Sequence, residues 1–370
     1  MDRARLIVPT ALALFILSSA LPGCTSNPRF GHGRALPPGT LPSSPATGVS
    51  LATKSHYALA YRVAFASKHL LSVELRTQFE LVIRPTRPSD DTNQSDKNRI
   101  ALGPADYDIS DMVIAKSSER VFISSAAGWV RSYNIETQKK LSEWRMGSGV
   151  SALALSPDGA FLYIGTTSGV VCLRRLTDGA QLQCMVAHKG AISALTTQGD
   201  VLVSSSYLGE LSVWKSVSMQ HLDSLESSHS VSDIAFSASG QELAVARNQE
   251  VPRLSDDRNN AFDQAGIHQI EIWSIRSGKL SESPRLILQG HRSVVSSVAW
   301  VGRDLISGSW DRSLKIWDTT KPGRVLTLNS FAHIVRDVAI GNTSAAFSAA
   351  GWATEPKDPA IISGFLLYFQ

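Results

Sequence analysis

Cysteine is scarce in this chain. Its 370 residues include only Cys24, Cys172 and Cys184, and no two of them form a Cys-x-x-Cys metal or redox pair. The nine histidines are scattered singly. There is no His-Glu-x-x-His, no Gly-x-Ser-x-Gly, no phosphate-binding glycine-rich loop and no haem-attachment motif. The oxygen-rich stretch Asp256 to Asp263 lacks the alternating spacing and closing Glu of a calcium loop, so it reads as a solvated loop. These absences leave no candidate catalytic residue, cofactor site or metal site. Charge is thin as well, at 18% of residues with a net charge of +4 and a pI near 9.0. The basic residues form no run and do not alternate with aromatics, which argues against a nucleic-acid partner.

Long apolar runs are missing except at the start. Arg3 and Arg5 precede an apolar stretch from Leu6 to Leu21, followed by Leu21-Pro22-Gly23-Cys24. The run is short for a membrane span and is followed by Pro, Gly and Ser, which favours a cleaved leader; an uncleaved anchor and a plain secretory signal are the alternatives. Leu-x-Gly-Cys resembles the lipobox of bacterial lipoproteins, with Pro22 departing from its usual small residue. The resemblance implies a signal peptide over 1–23, lipidation of Cys24, and, with Thr25 rather than Asp next, sorting to the outer membrane facing the periplasm. Residues 24–50 are rich in Pro, Gly, Ser and Ala and poor in aromatics, the composition of a flexible tether.

What the chain does have is a repeat. The triplets Val63-Ala64-Phe65, Met112-Val113-Ile114, Leu153-Ala154-Leu155, Ala194-Leu195-Thr196, Ile234-Ala235-Phe236, Val298-Ala299-Trp300 and Val338-Ala339-Ile340 recur at offsets of 49, 41, 41, 40, 64 and 40 residues. A turn follows each, as in Ser156-Pro157-Asp158-Gly159. The long offsets mark insertions at 85–99 and 249–266, and a shorter excursion occupies 350–359. The chain stops after a third strand, so the missing outer strand is expected from residues 48–56. Cys172 and Cys184 flank the turn Leu176-Thr177-Asp178-Gly179-Ala180 symmetrically. That places them opposite each other on adjacent strands, either as a cross-strand disulfide or as two thiols too far apart to bond.

The best-preserved copy runs from Gly290 to Asp318. Its Gly290-His291, its Ser307-Gly308-Ser309 leading to Asp311, and its Trp317-Asp318 resemble a WD repeat, one four-stranded blade of a β-propeller. The resemblance implies an all-β fold over residues 51–370, a single seven-bladed propeller of four-stranded antiparallel blades. It also implies that His291, Ser307, Asp311 and Trp317 form a buried structural tetrad rather than a hydrolytic triad. Blade four keeps His188, Ser204 and Trp214 but has Leu208 in place of the Asp, so apolar packing is expected to replace the tetrad there. Trp310 and Tyr207 occupy the turn position that the family commonly uses to contact partners. With Trp352 and Arg292 they are the expected partner-binding residues, on the loop face around blades five to seven. The function implied is a non-enzymatic interaction scaffold, a monomer within a larger complex of bacterial envelope proteins, held to the membrane only by its lipid. The alternative is an envelope enzyme or small-ligand binder that uses the central channel, with loop groups such as Lys357, Asp358 or Asp263.

Overall fold

A computed structural model of the chain describes residues 49–56, 59–66, 69–75, 78–85, 98–104, 109–115, 118–250, 266–328, 334–340, 344–350 and 362–369. Contacts divide the chain into Met1–Ala35 and Leu36–Gln370, and every described residue belongs to the second unit. The leader, Cys24, nearly all of the tether, the insertion at 251–265, Trp352, Lys357 and Asp358 lie outside the described residues.

All regular elements among the described residues are β-strands. After β1 (Val49–His56) come six antiparallel blades of consecutive strands. Blade one is β2 (Leu59–Ala66), β3 (His69–Leu75), β4 (Gln78–Pro85) and β5 (Arg99–Pro104). Blade two is β6 (Ile109–Ala115), β7 (Arg120–Ser125), β8 (Trp129–Asn134) and β9 (Lys140–Arg145). Blade three is β10 (Val150–Leu155), β11 (Phe161–Thr166), β12 (Val170–Arg175) and β13 (Gln181–Val186). Blade four is β14 (Ile192–Gln198), β15 (Val201–Ser206), β16 (Leu211–Lys215) and β17 (Gln220–Leu225). Blade five is β18 (Ser230–Phe236), β19 (Glu242–Glu250) and β20 (Gly266–Arg276), with an outer strand split into β21 (Lys279–Leu280) and β22 (Leu286–Gln289). Blade six is β23 (Val295–Val301), β24 (Asp304–Ser309), β25 (Leu314–Asp318) and β26 (Val325–Leu328). A further sheet joins β27 (Ile334–Ile340), β28 (Ser344–Ala350) and β29 (Ile362–Phe369) to β1, which supplies the outer strand expected from the start of the domain. Every recurring triplet of the sequence lies on the innermost strand of its sheet.

The second strand of each blade explains how neighbours fit. Val121 to Ser125, Leu162 to Thr166, Leu202 to Ser206 and Leu305 to Ser309 are buried at every position, because both faces of the strand meet another sheet. The apolar clusters therefore cross from blade to blade: Leu71, Val73, Phe79 and Leu81 of blade one pack with Met112, Val121, Ile123 and Trp129 of blade two. Small residues end these strands because the next blade sits close. A Cβ on Gly308 would lie 2.5 Å from Cγ1 of Val335, and one on Gly165 would lie 2.6 Å from Cγ2 of Ile192.

Each innermost strand carries one β-bulge at the same place, just before the recurring triplet, as between Ile109 and Asp111, Val231 and Asp233, Val295 and Ser297, or Val335 and Asp337. The bulge turns the following side chain, Asp111, Asp233, Ser297 or Asp337, toward the adjacent blade.

Cys172 on β12 and Cys184 on β13 are in direct register, and their sulfurs are bonded at 2.00 Å. Closing so short a loop stabilises by about 2 to 3 kcal/mol. Mass spectrometry of non-reduced peptides should recover the two cysteines linked; finding both alkylated without reduction would contradict the pairing.

Candidate functional site

Blade six holds its expected tetrad in full. Trp317 Nε1 donates to Ser307 Oγ at 2.8 Å, and Ser307 Oγ lies 2.7 Å from His291 Nε2. On the other side of the ring, His291 Nδ1 is 2.9 Å from Asp311 Oδ2, which also accepts the backbone N–H of Arg292 at 2.9 Å. With the indole donating to the hydroxyl, the simplest chain has Ser307 donating to Nε2 and Nδ1–H donating to the carboxylate, the tautomer that satisfies every member. Burial keeps the imidazole neutral by holding its pKa below the ordinary value. Burial pulls the Asp311 carboxyl upward, but its bonds to His291, Ser313 and Arg292 outweigh that and hold it far below the usual carboxylate range. All four residues are buried. The set ties the loop before β23 to the strands β24 and β25.

Blade four departs from the expectation that apolar packing replaces the tetrad. His188 Nε2 lies 2.7 Å from Ser204 Oγ, and Trp214 Nε1 donates to the same oxygen at 2.9 Å. Leu208 does stand where the Asp would, but Glu210, two residues on and one methylene longer, reaches back to the same imidazole. Its Oε2 is 3.7 Å from His188 Nδ1 and accepts Ser206 Oγ at 2.7 Å. Both carboxylate oxygens also accept the backbone N–H of Lys189 at 3.2 Å. Leu208, released from the clamp, is left exposed on the turn.

Blade five uses different chemistry. Val245 holds the position of the serine, and Trp273 Nε1 donates instead to Glu271 Oε2 at 2.9 Å. The same oxygen pairs with Arg247 Nε at 3.1 Å, and Arg247 Nη1 donates to the carbonyl of Gly209 at 3.0 Å in the turn between β15 and β16 of blade four. Arg247 is wholly buried. A lone Arg and a lone Glu on neighbouring strands gave no signal in the sequence, since their partnership appears only once β19 and β20 are in register.

A second set of polar groups lies on the innermost strands around the axis. Leu153 N–H donates to Asp111 Oδ2 at 2.7 Å, Val298 N–H to Asp233 Oδ2 at 2.8 Å, Val338 N–H to Ser297 Oγ at 3.3 Å and Val63 N–H to Asp337 Oδ2 at 2.9 Å. Each bond runs from one sheet to the next. Arg62 continues the series, donating to the carbonyl of Ser110 and standing 3.7 Å from Asp111. Burial, and then the nearby charge of Asp337, push the Asp233 carboxyl up to about 7 despite the N–H it accepts from Val298. Burial also raises Asp111 and Asp337, against the pull of Arg62. Charged residues do converge at the channel, as the alternative reading requires. Yet the second oxygen of each carboxylate takes the N–H of Met112, Ile234 or Val338, so both oxygens of all three are occupied by backbone donors.

The expected partner-binding residues separate. Trp310 is half-buried at the turn of blade six, its N–H donating to the carbonyl of Val294 at 2.9 Å. Arg292 beside it is exposed. Tyr207 belongs to the channel: burial raises its phenol, and Arg62, Asp233 and Asp111 all act on it electrostatically. Trp352 lies outside the described residues.

Residues 282–318 match the family described as WD domain, G-beta repeat, the stretch that contains the complete tetrad. The chain is 26% identical over 176 residues to a periodic tryptophan protein 2 homolog of Caenorhabditis elegans, covering 45% of this chain and 17% of that protein. It is 27% identical over 194 residues to a U3 snoRNP-associated protein-like EMB2271 of Arabidopsis thaliana, covering 50% of this chain and 35% of that protein. A shorter match, 37% over 67 residues, covers 15% of this chain and 16% of a ribosome biogenesis protein WDR12 homolog of Drosophila mojavensis. The chain thus spans a minor part of the length of these relatives. They also correct the expected location. A lipid-anchored protein of the bacterial outer membrane facing the periplasm is overturned by relatives that are eukaryotic and named for ribosome biogenesis and a U3 snoRNP. That expectation rested on the chain start: Arg3 and Arg5, the apolar run from Leu6 to Leu21, the lipobox-like Leu21 to Cys24, Thr25 and the tether.

The two clamps differ in geometry, and stability measurements should separate them. Asp311→Ala strands a buried imidazole and is expected to cost about 3 kcal/mol in denaturant unfolding. Glu210→Ala removes a longer contact at a wetter site and should cost about 1 kcal/mol. Equal losses would contradict the ranking.

Proposed function

We propose that this chain is a non-enzymatic interaction scaffold, a WD-repeat propeller whose seven sheets are seven blades of one closed ring. The observation that carries the reading is the burial and mutual satisfaction of its polar clusters. The one His-Ser-Asp set among the described residues is buried, and each oxygen of the three channel carboxylates accepts a backbone N–H. Chemistry is thereby confined to structure, and recognition falls to the outer surface. Contact of the innermost strands in sequence from β2 through β27 and back to β2 supports the count of seven.

The partner is a protein, met on the face formed by the turns between second and third strands and the loops between blades. Trp310 and Arg292, from the turn and loop of blade six, carry this contact, and Trp352, outside the described residues, is the third residue proposed for it. An aromatic carried on a turn next to a rigid tetrad presents apolar area at little entropic cost. The names of the relatives, ribosome biogenesis proteins and a U3 snoRNP-associated protein, favour service in assembling a large complex. Tyr207 contributes from the channel side.

Trp310→Ala should cut recovery of partners in affinity purification from crosslinked cells at least about tenfold, as removal of a hot-spot aromatic does. Its melting temperature should stay within about 2 °C of the parent, since the tetrad is untouched. Undiminished partner recovery would place the binding face elsewhere.

A further inference from the structure

The outer strand of every blade presents a row of backbone N–H and C=O groups to solvent, and proteins blunt such edges with charge, proline or shortness. Most blades here do so. β9 carries Lys140, Glu143 and Arg145, with Glu143 paired to Arg131 at 3.0 Å. β17 carries Asp223, and β5 opens on Arg99 and closes on Pro104. β22 and β26 are only four residues long.

β13 has none of these protections. Its sequence, Gln-Leu-Gln-Cys-Met-Val, has no charge and no proline, and five of its six residues are exposed. Val186 is 77% exposed, the highest value among the large apolar residues described, and Leu182 is 42% exposed. The strand is also held in place. Cys184 is bonded to Cys172, and Gln183 Nε2 donates to the carbonyl of Ser218 in blade four at 3.4 Å. A bulge at Leu182 leaves Gln183 to Val186 as the regular part of the edge.

We propose that β13 is a dimer interface, in which two copies of this chain pair their β13 strands antiparallel about a two-fold axis that passes at Met185. This joins the two third blades into one eight-stranded sheet. The inference is independent of the scaffold reading and departs from the monomer expected from the sequence.

The edge is self-complementary in the way a two-fold demands. Cys184 of one copy falls opposite Val186 of the other, and Met185 opposite its own counterpart, so no charge meets a like charge. The ends match as well. The turn before β13 carries the exposed pair Arg175 and Asp178, 2.7 Å apart, and the loop after it carries Lys189, paired at 3.6 Å with Glu226, which follows β17. The axis brings the first end of one copy toward the second end of the other, where each cation can reach an anion. Beyond Val186 a cavity of about 340 Å³ opens between Ala187, Trp214, His221 and Leu225. The exposed Leu182 of the second copy comes level with His188, at its mouth. No other edge with described side chains combines length, exposure and neutrality in this way.

The test uses the full chain. Sedimentation velocity from about 1 to about 100 µM should show a shift from monomer to dimer, the range in which a small interface associates. Met185→Lys and Val186→Lys each place a charge in the seam and should raise the dissociation constant at least about tenfold, whereas Leu141→Lys on β9 should leave it unchanged. Hydrogen exchange on the unaltered protein gives a second readout: β13 amides should exchange at least about fivefold more slowly at the higher concentration. A protein that stays monomeric throughout, or a dimer that persists in both β13 variants or is lost in the β9 variant, overturns the proposal.

Discussion

Blades of this propeller share no backbone ladder, so their register depends on the hydrogen bond that each innermost strand hands to the next at its bulge. Apolar packing between sheets is strong but non-directional; it holds the blades together without fixing how far one slides along another. The bulge residue supplies direction. Asp111, Asp233, Ser297 and Asp337 each take an N–H from the following sheet, and Arg62 links blade one to blade two through Ser110. The bond that Asp337 accepts from Val63 spans 274 positions of sequence and joins the last sheet to blade one. Burying three carboxylates near the axis is costly, as the raised Asp233 shows, and the cost is tolerated because each oxygen finds a donor.

Blades three and four have Ala152 and Ala194 at this position, and the junctions they would serve are held differently. Thr197 Oγ1 donates to the carbonyl of Leu155 at 2.5 Å between blades three and four. Arg247 reaches from blade five to Gly209 of blade four. The clamps nearer the loop face vary in the same spirit. An Asp in blade six, a Glu from two residues downstream in blade four, and an Arg–Glu pair in blade five all secure an indole and the strand beneath it. In these three blades the indole donor is satisfied, and three different side-chain sets do it.

Much of the fold was legible in the sequence because it repeats. The recurring triplets located every innermost strand, the missing fourth strand pointed to residues 48–56, and the symmetry of Cys172 and Cys184 about Asp178 placed them in register. The tetrad of blade six followed from residue types in one local stretch. What stayed hidden depends on contacts between distant segments. Glu210 is out of phase with the Asp it replaces, Arg247 and Glu271 lie 24 positions apart across an insertion, and the bulge residues look like ordinary polar positions until neighbouring sheets stand beside them. The leader misled for the opposite reason: local residues at the chain start outweighed a repeat whose relatives lie elsewhere.

The central claim is that the bulge bonds, more than any ligand in the channel, account for the polar groups around the axis. Hydrogen exchange at the amides of Val63, Leu153, Val298 and Val338 tests it most directly. The account predicts that all four open only with global unfolding, and that Asp337→Ala speeds exchange at Val63 by at least about tenfold while Leu153 changes far less. Rapid exchange at these amides in the unaltered protein, or no effect of Asp337→Ala at Val63, would contradict it.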